Sequence, residues 1–97
     1  MDILLKNLKV IISAGGSGIG KAILESFHTH GAKIATCDIN PDLVKTLKDN
    51  YPAIYAEVLD VSDEQAVQSF CSNALDKLGG LDCLINNAGI ALSLIHI

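Results

Sequence analysis

The chain has 97 residues, of which 49% are apolar and 19% charged, and its formal net charge is −4. Such a composition builds a globular core and excludes a disordered segment, and its acidic balance argues against a nucleic-acid surface. All seven basic residues are lysines, so this stretch lacks the bidentate arginine clamp that phosphate monoesters usually meet.

Lys9 to Ser13 reads as a buried strand, because the unbroken Val10-Ile11-Ile12 run suits a parallel sheet covered on both faces. Directly behind it comes Ser13-Ala14-Gly15-Gly16-Ser17-Gly18-Ile19-Gly20. Glycines there let the chain reverse sharply, bring its backbone against a pyrophosphate and start a helix packed close to the sheet. The helix is expected over Gly18 to His30, with Ile19, Ala22, Ile23 and Phe27 on one face and Gly31 closing it. A second strand runs from Lys33 to Cys37 and ends at Asp38.

Asn40-Pro41 starts the next helix, since asparagine caps free N–H groups and proline at the first position has no N–H to lose. That helix reaches about Asn50, Tyr51-Pro52 breaks it, and Ile54 to Leu59 reads as strand three with Asp60 at its carboxyl end. Ser62-Asp63-Glu64-Gln65 fits a capping box between Ser62 and Gln65. Behind it Val67, Phe70, Cys71, Ala74, Leu75 and Leu78 keep helical spacing until Gly79-Gly80. Leu81 to Ile85 forms strand four, followed by Asn86-Asn87-Ala88-Gly89.

The order βαβαβαβ implies right-handed crossovers between parallel strands, with ligand groups gathered at the strand ends. Ser13 to Gly20, Asp38, Asp60 and Asn86 to Gly89 therefore share one edge. Asp38 lies 18 residues beyond Gly20, where a carboxylate accepts from both hydroxyls of an adenosine ribose; the rival reading is that it only opens the turn into Asn40-Pro41. The same carboxylate repels a 2′-phosphate, and neither Ser17 nor Ile39 supplies a cation, so NAD is expected over NADP. Asp60 has two readings: it receives the adenine amino group beside Val61, or it opens the next turn with Ser62. Lys21 reads as a solvated first-turn lysine rather than a phosphate ligand. His28 and His30, two apart on a helix, face different ways and are read as surface residues rather than metal ligands. No CxxC pair joins Cys37, Cys71 and Cys83, which are read as buried free thiols in a reducing compartment. No apolar stretch approaches the roughly 18 residues of a membrane span, and Met1 to Lys6 has no signal-peptide pattern; a cytoplasmic location is expected.

The glycine turn, Asp38, Asp60-Val61 and Asn86-Asn87-Ala88-Gly89 together resemble the cofactor half of the short-chain dehydrogenase/reductase family, over residues 5 to 91. The Asn-Asn-Ala-Gly tetrapeptide after a fourth strand carries more of that resemblance than the glycines do. It implies a Rossmann-type doubly wound parallel sheet, truncated here after about four strands. It also implies an NAD site formed by Ser13, Gly15, Gly16, Ser17, Gly18, Ile19, Gly20, Asp38, Asp60, Val61, Asn87, Ala88 and Gly89. Within it, Ser17 and Ile19 approach the pyrophosphate through side chain and backbone, and Asn87 holds the sheet edge near the ribose. The family's Thr-Gly-x-x-x-Gly-x-Gly is altered at its first two positions, Ser13 and Ala14. Serine keeps the hydroxyl, whereas alanine disfavours a positive φ that Gly15 is expected to absorb.

Family members also carry a catalytic serine and a Tyr-x-x-x-Lys motif, in which lysine lowers the tyrosine pKa for proton exchange as hydride moves to nicotinamide. Tyr51 is followed four positions later by Tyr55 and Tyr55 by Leu59, so no catalytic residue is assigned in this chain. Residues 1–91 are thus expected to be the N-terminal part of a single NAD-binding domain. The ending Leu92-Ser93-Leu94-Ile95-His96-Ile97 equals the translation of CTGTCTCTTATACACATC, a transposase adapter end used in sequencing libraries, and is read as a non-native tail. The resemblance implies a full-length, homo-oligomeric oxidoreductase acting on a small alcohol or ketone, with no nucleic-acid or membrane partner. The alternative is a non-catalytic dinucleotide-binding sensor of the same fold.

Overall fold

The computed structural model describes residues 6–16 and 18–87. Strands and helices alternate as β1 (Lys9–Ser13), α1 (Gly18–Thr29), β2 (Lys33–Asp38), α2 (Pro41–Asn50), β3 (Tyr55–Val58), α3 (Glu64–Leu78) and β4 (Cys83–Ile85). All neighbouring strands are parallel, in the order β3-β2-β1-β4. Ile11 stands opposite Ala35 on one side and Leu84 on the other, so β1 is the central strand on which the direction of strand addition reverses.

Period-two side-chain direction divides β1 between two cores. Ile11 joins Ala35, Cys37, Val67, Phe70, Cys71 and Ala74 under α3. Val10 and Ile12 pack with Leu24, Ile34, Val44 and Leu47 under α1 and α2. Because α1 and α2 cover one face and α3 the other, the crossover from β3 returns over the opposite face and delivers β4 beside β1. This is the doubly wound arrangement expected from the element order, and the connection rules make it right-handed.

The expected elements all form, with shorter boundaries for β3 and β4, whose end residues Ile54, Leu59, Leu81 and Asp82 lie outside the ladder. Two local expectations are corrected. The first is the buried face of α1: Leu24 is fully buried and Gly20 lies beneath it, Ile23 and Phe27 are half-buried, and Ala22 and Ile19 are exposed, Ile19 at 73%. Gly20 abuts the Ala14 carbonyl so closely that no side chain fits between them, and this contact turns the i, i+4 pair Gly20 and Leu24 inward. The second is the start of α3. Asp63 is the N-cap and accepts from the Ala66 N–H at 3.1 Å, while Ser62 turns its hydroxyl away to Asp60 Oδ1 at 2.7 Å. The Ser62–Gln65 capping box is not formed.

Asn40 caps α2 as expected, its side-chain oxygen accepting from Asp42 and Leu43 N–H, with Pro41 in the first turn. Gly79 ends α3 in the left-handed conformation with φ 79°. Cys37 and Cys71 are buried free thiols, whereas Cys83 is only half-buried because β4 has a strand neighbour on one side alone among the described residues. No helix among the described residues is long and apolar enough to cross a membrane.

Candidate functional site

The parallel register brings the carboxyl ends of β1, β2, β3 and β4 to one edge, and with them the residues singled out by sequence. Ser13, the last residue of β1, is fully buried and its hydroxyl lies 3.4 Å from the Ile85 carbonyl at the end of β4. The turn that follows is packed from below. Gly15 sits over Thr36 and Leu24, and Gly16 over Asp38 and Leu43, each without room for a Cβ. Gly18, at the head of α1, has none of the described residues within 4 Å of where a Cβ would stand, and the first turn of α1 carries no acidic residue. Free N–H groups and the positive end of the helix dipole therefore face this edge.

Ala14 itself takes the left-handed conformation, with φ 57°, and Gly15 does not. The expectation that Gly15 would absorb the positive φ is thus corrected. The reason is local: Gly15 is pinned by its N–H to the Cys37 carbonyl at 3.2 Å, so the reversal has to occur one residue earlier.

Asp38 closes β2 and is 8% exposed. One carboxylate oxygen accepts from the Gly16 N–H at 3.0 Å, and the other from the Asn40 N–H at 3.1 Å. Asp38 therefore does open the turn into α2, and it is tied to the glycine turn as well. A carboxylate has about four lone-pair directions, so this arrangement leaves acceptor capacity toward solvent. Beside it lies a cleft of about 140 Å³ lined by Ala14, Cys37, Asp38, Ile39, Leu59, Asp60 and Val61. Asp60 Oδ1 accepts from both the N–H and the hydroxyl of Ser62, and these two bonds hold its carboxyl below the usual carboxylate range. Of the two readings of Asp60, the turn with Ser62 is formed, and Asp60 also lines the cleft.

Asn87 reaches the same edge from β4, its Nδ2 standing 2.9 Å from where a Gly20 Cβ would lie. Ile19 is exposed at the start of α1, and Lys21 is half-buried in the same turn. Ser17, Ala88 and Gly89 lie outside the described residues. His28 is exposed and meets the Tyr51 ring edge-on at 4.6 Å, and the His30 Nδ1 lies 2.8 Å from the Ser26 carbonyl.

Sequence reasoning missed the support beneath the site. Thr36 donates its hydroxyl to the Ile12 carbonyl at 2.6 Å and fills the space under Gly15. Cys37 lines the cleft from below, and burial pushes its thiol up to about 11. The available signal was a polar Thr36 between the apolar Ile34-Ala35 and Cys37, because a buried hydroxyl demands a partner.

A parallel sheet of this order, with a glycine turn behind its central strand and an acidic residue closing the next, defines the first half of a Rossmann-type nucleotide-binding fold. Comparison with known proteins narrows the class. The family model described as short chain dehydrogenase matches residues 9–96, and the chain belongs to that family. L-fucose dehydrogenase of Bos taurus is 34% identical over 80 residues, covering 82% of this chain and 30% of that protein. A 7α-hydroxysteroid dehydrogenase solved with NADH and 7-oxo glycochenodeoxycholic acid superposes with a TM-score of 0.78 at 34% identity, over 84% of this chain and 34% of its own. A 3-ketoacyl-(acyl-carrier-protein) reductase from Brucella melitensis, solved with NADH, gives a TM-score of 0.80 at 31% identity, over 88% and 36%. The chain spans about a third of the length of these relatives.

Proposed function

We propose that this chain forms the adenosine- and pyrophosphate-holding part of a longer NAD-dependent oxidoreductase that moves hydride between nicotinamide and a small alcohol or ketone. The observation that carries the reading is Asp38: a nearly buried carboxylate fixed by two backbone N–H groups at the mouth of a cleft, beside a helix start with no acidic residue. Two relatives of the same fold were solved with NADH.

The residues fit the cofactor. The cleft between Ala14, Ile39, Asp60 and Val61 suits a flat base, Asp38 keeps lone pairs for two ribose hydroxyls, and the open backbone at Gly18 leaves room for an anion. In this reading Ser13, Gly15, Gly16 and Gly20 shape the turn, Ser17 and Ile19 approach the pyrophosphate, and Asn87, Ala88 and Gly89 border the ribose toward the nicotinamide. When bound, the cofactor supplies the hydride acceptor or donor. The chain's own contribution is to bind and orient it. The proton donor belongs to sequence other than these 97 residues, and the chain alone is expected to turn over no alcohol.

The same geometry supports a reading of NAD over NADP. A 2′-phosphate would sit against Asp38, beside the exposed, uncharged Ile39. Repulsion and the loss of a charge-assisted hydrogen bond are worth about 2–3 kcal/mol, or roughly 30- to 150-fold in affinity. In the full-length protein, calorimetric titration should show that preference for NAD. Asp38→Ala combined with Ile39→Arg should move it toward NADP. Equal affinity of the unmodified protein for NAD and NADP overturns the role given to Asp38.

A further inference from the structure

The amino ends of β2 and β3 leave a hollow of about 400 Å³, within the roughly 300–1,000 Å³ range of small-molecule sites. It lies at the opposite end of the sheet from Asp38 and the glycine turn. Its floor is apolar and comes from both cores: Ile34 and Ile54 from the cluster under α1 and α2, and Leu78 from the cluster under α3, none more than 7% exposed. The Tyr55 ring makes one wall and is fixed twice, stacked on Phe70 with centroids 6.2 Å apart and donating its hydroxyl to Glu57 Oε2 at 2.8 Å. The wall is therefore preformed.

The rim is cationic. Lys33 opens β2 and Lys77 lies in the last turn of α3; both are exposed, and no acidic side chain lines the hollow among the described residues. Lys45 pairs with Asp49 at 3.1 Å, but neither Lys33 nor Lys77 has such a partner among the described residues. His28, met edge-on by the Tyr51 ring, stands on the same rim. Magnitudes decide the charge of an occupant. The carboxyl ends of α1 and α3 each bring about half a negative charge to this edge, so the two lysines leave a net charge of about +1. A monoanion with an apolar body matches both rim and floor, whereas a cation meets two unpaired lysines. The order β3-β2-β1-β4 puts the hollow on the side away from β4, so strands added past β4 leave it open.

We propose that this hollow is a second ligand site, separate from the cofactor edge, and that it takes a small monocarboxylate. The apolar body lies on Ile34, Ile54 and Leu78 beside Tyr55, and the carboxylate meets Lys33 and Lys77. The proposal does not depend on the role given to Asp38.

Calorimetric titration of the full-length protein with octanoate, phenylbutyrate and naphthylacetate, NADH being present throughout, tests it. At least one should bind one-to-one with a Kd below about 1 mM, and its neutral amide should bind at least about five-fold more weakly. Lys33→Gln combined with Lys77→Gln should weaken that carboxylate about five- to ten-fold. Ala53→Glu, which sets a carboxylate on the exposed rim, should weaken it at least as much, and Asp38→Ala should leave it unchanged. Affinity for NADH should move less than about two-fold in the lysine and Ala53 variants. Binding by none of the three acids, equal binding of acid and amide, or full binding after both lysines are replaced overturns the proposal. Loss of binding in Asp38→Ala would put the carboxylate at the cofactor edge and overturns it too. A protein that binds the carboxylate through the lysines but binds no NADH supports this site and overturns the reading of the other edge.

Discussion

At the scale of single residues, the glycine turn contains two kinds of glycine that sequence cannot tell apart. Among the described residues nothing crowds Gly18, but Gly20 stands against the Ala14 carbonyl and Gly16 against Asp38 and Leu43. A methyl on Gly20 would meet backbone, which cannot swing aside as the end of a flexible side chain does. Gly20→Ala should therefore destabilise the fold by at least about 1–3 kcal/mol and weaken NAD binding with it, as denaturant unfolding and titration of the full-length protein would show. Cys37 adds a pH dependence. Burial raises its thiol from 9.0 to about 11, so between those values the unfolded chain has released a proton that the native one keeps. Stability is then full below pH 9 and falls as pH rises toward 11, by about 2–3 kcal/mol for a shift of this size. Unfolding midpoints followed from about pH 8 to 11 should decline less steeply for Cys37→Ser than for the unmodified protein, and identical slopes would contradict this account.

At the scale of elements, legibility followed how many residues shared a decision. α3 was readable because six apolar positions repeat at one period, and all of them lie in or against the core. Its cap was not, because Ser62, Asp63, Glu64 and Gln65 are consecutive polar residues and the choice depends on Asp60, which engages Ser62 through space. The same holds for α1, where the apolar Ile19 reads as core until Gly20 is seen to need the inward position. The carboxyl-edge site was legible for a topological reason: parallel strands end on one side whatever their order. The Ala14 reversal was not, since it depends on where Gly15 is pinned. Asp63→Ala should cost about 1 kcal/mol through the lost cap, and Ser62→Ala much less. Ser62→Ala should instead raise the Asp60 carboxyl toward its ordinary value, because the hydroxyl that favours the carboxylate is gone. Carboxyl resonances followed by NMR through an acid titration separate the two variants, and an unmoved Asp60 would refute the assignment.

At the scale of the whole molecule, the sheet is less well covered at β4 than at β1. β1 has strand neighbours on both sides and its apolar residues are fully buried, yet Cys83, Leu84 and Ile85 of β4 are only half-buried. Among the described residues β4 pairs with β1 alone, and Leu81 and Leu84 pack on the edge of the α3 cluster while Cys83 and Ile85 pack on the other. An edge strand with half-covered apolar side chains on both faces invites pairing with another chain. In the proposed longer protein, further strand and helix would extend the sheet past β4. The 97-residue chain by itself should therefore unfold over a broad range, bind a dye for exposed apolar surface and associate at micromolar concentration. The full-length protein should give a sharp transition and little dye binding. A monomeric 97-residue chain that melts cooperatively would show that the β4 edge is already sufficient, and that the two cores, built on Ile11 and on Val10 with Ile12, stabilise the sheet unaided.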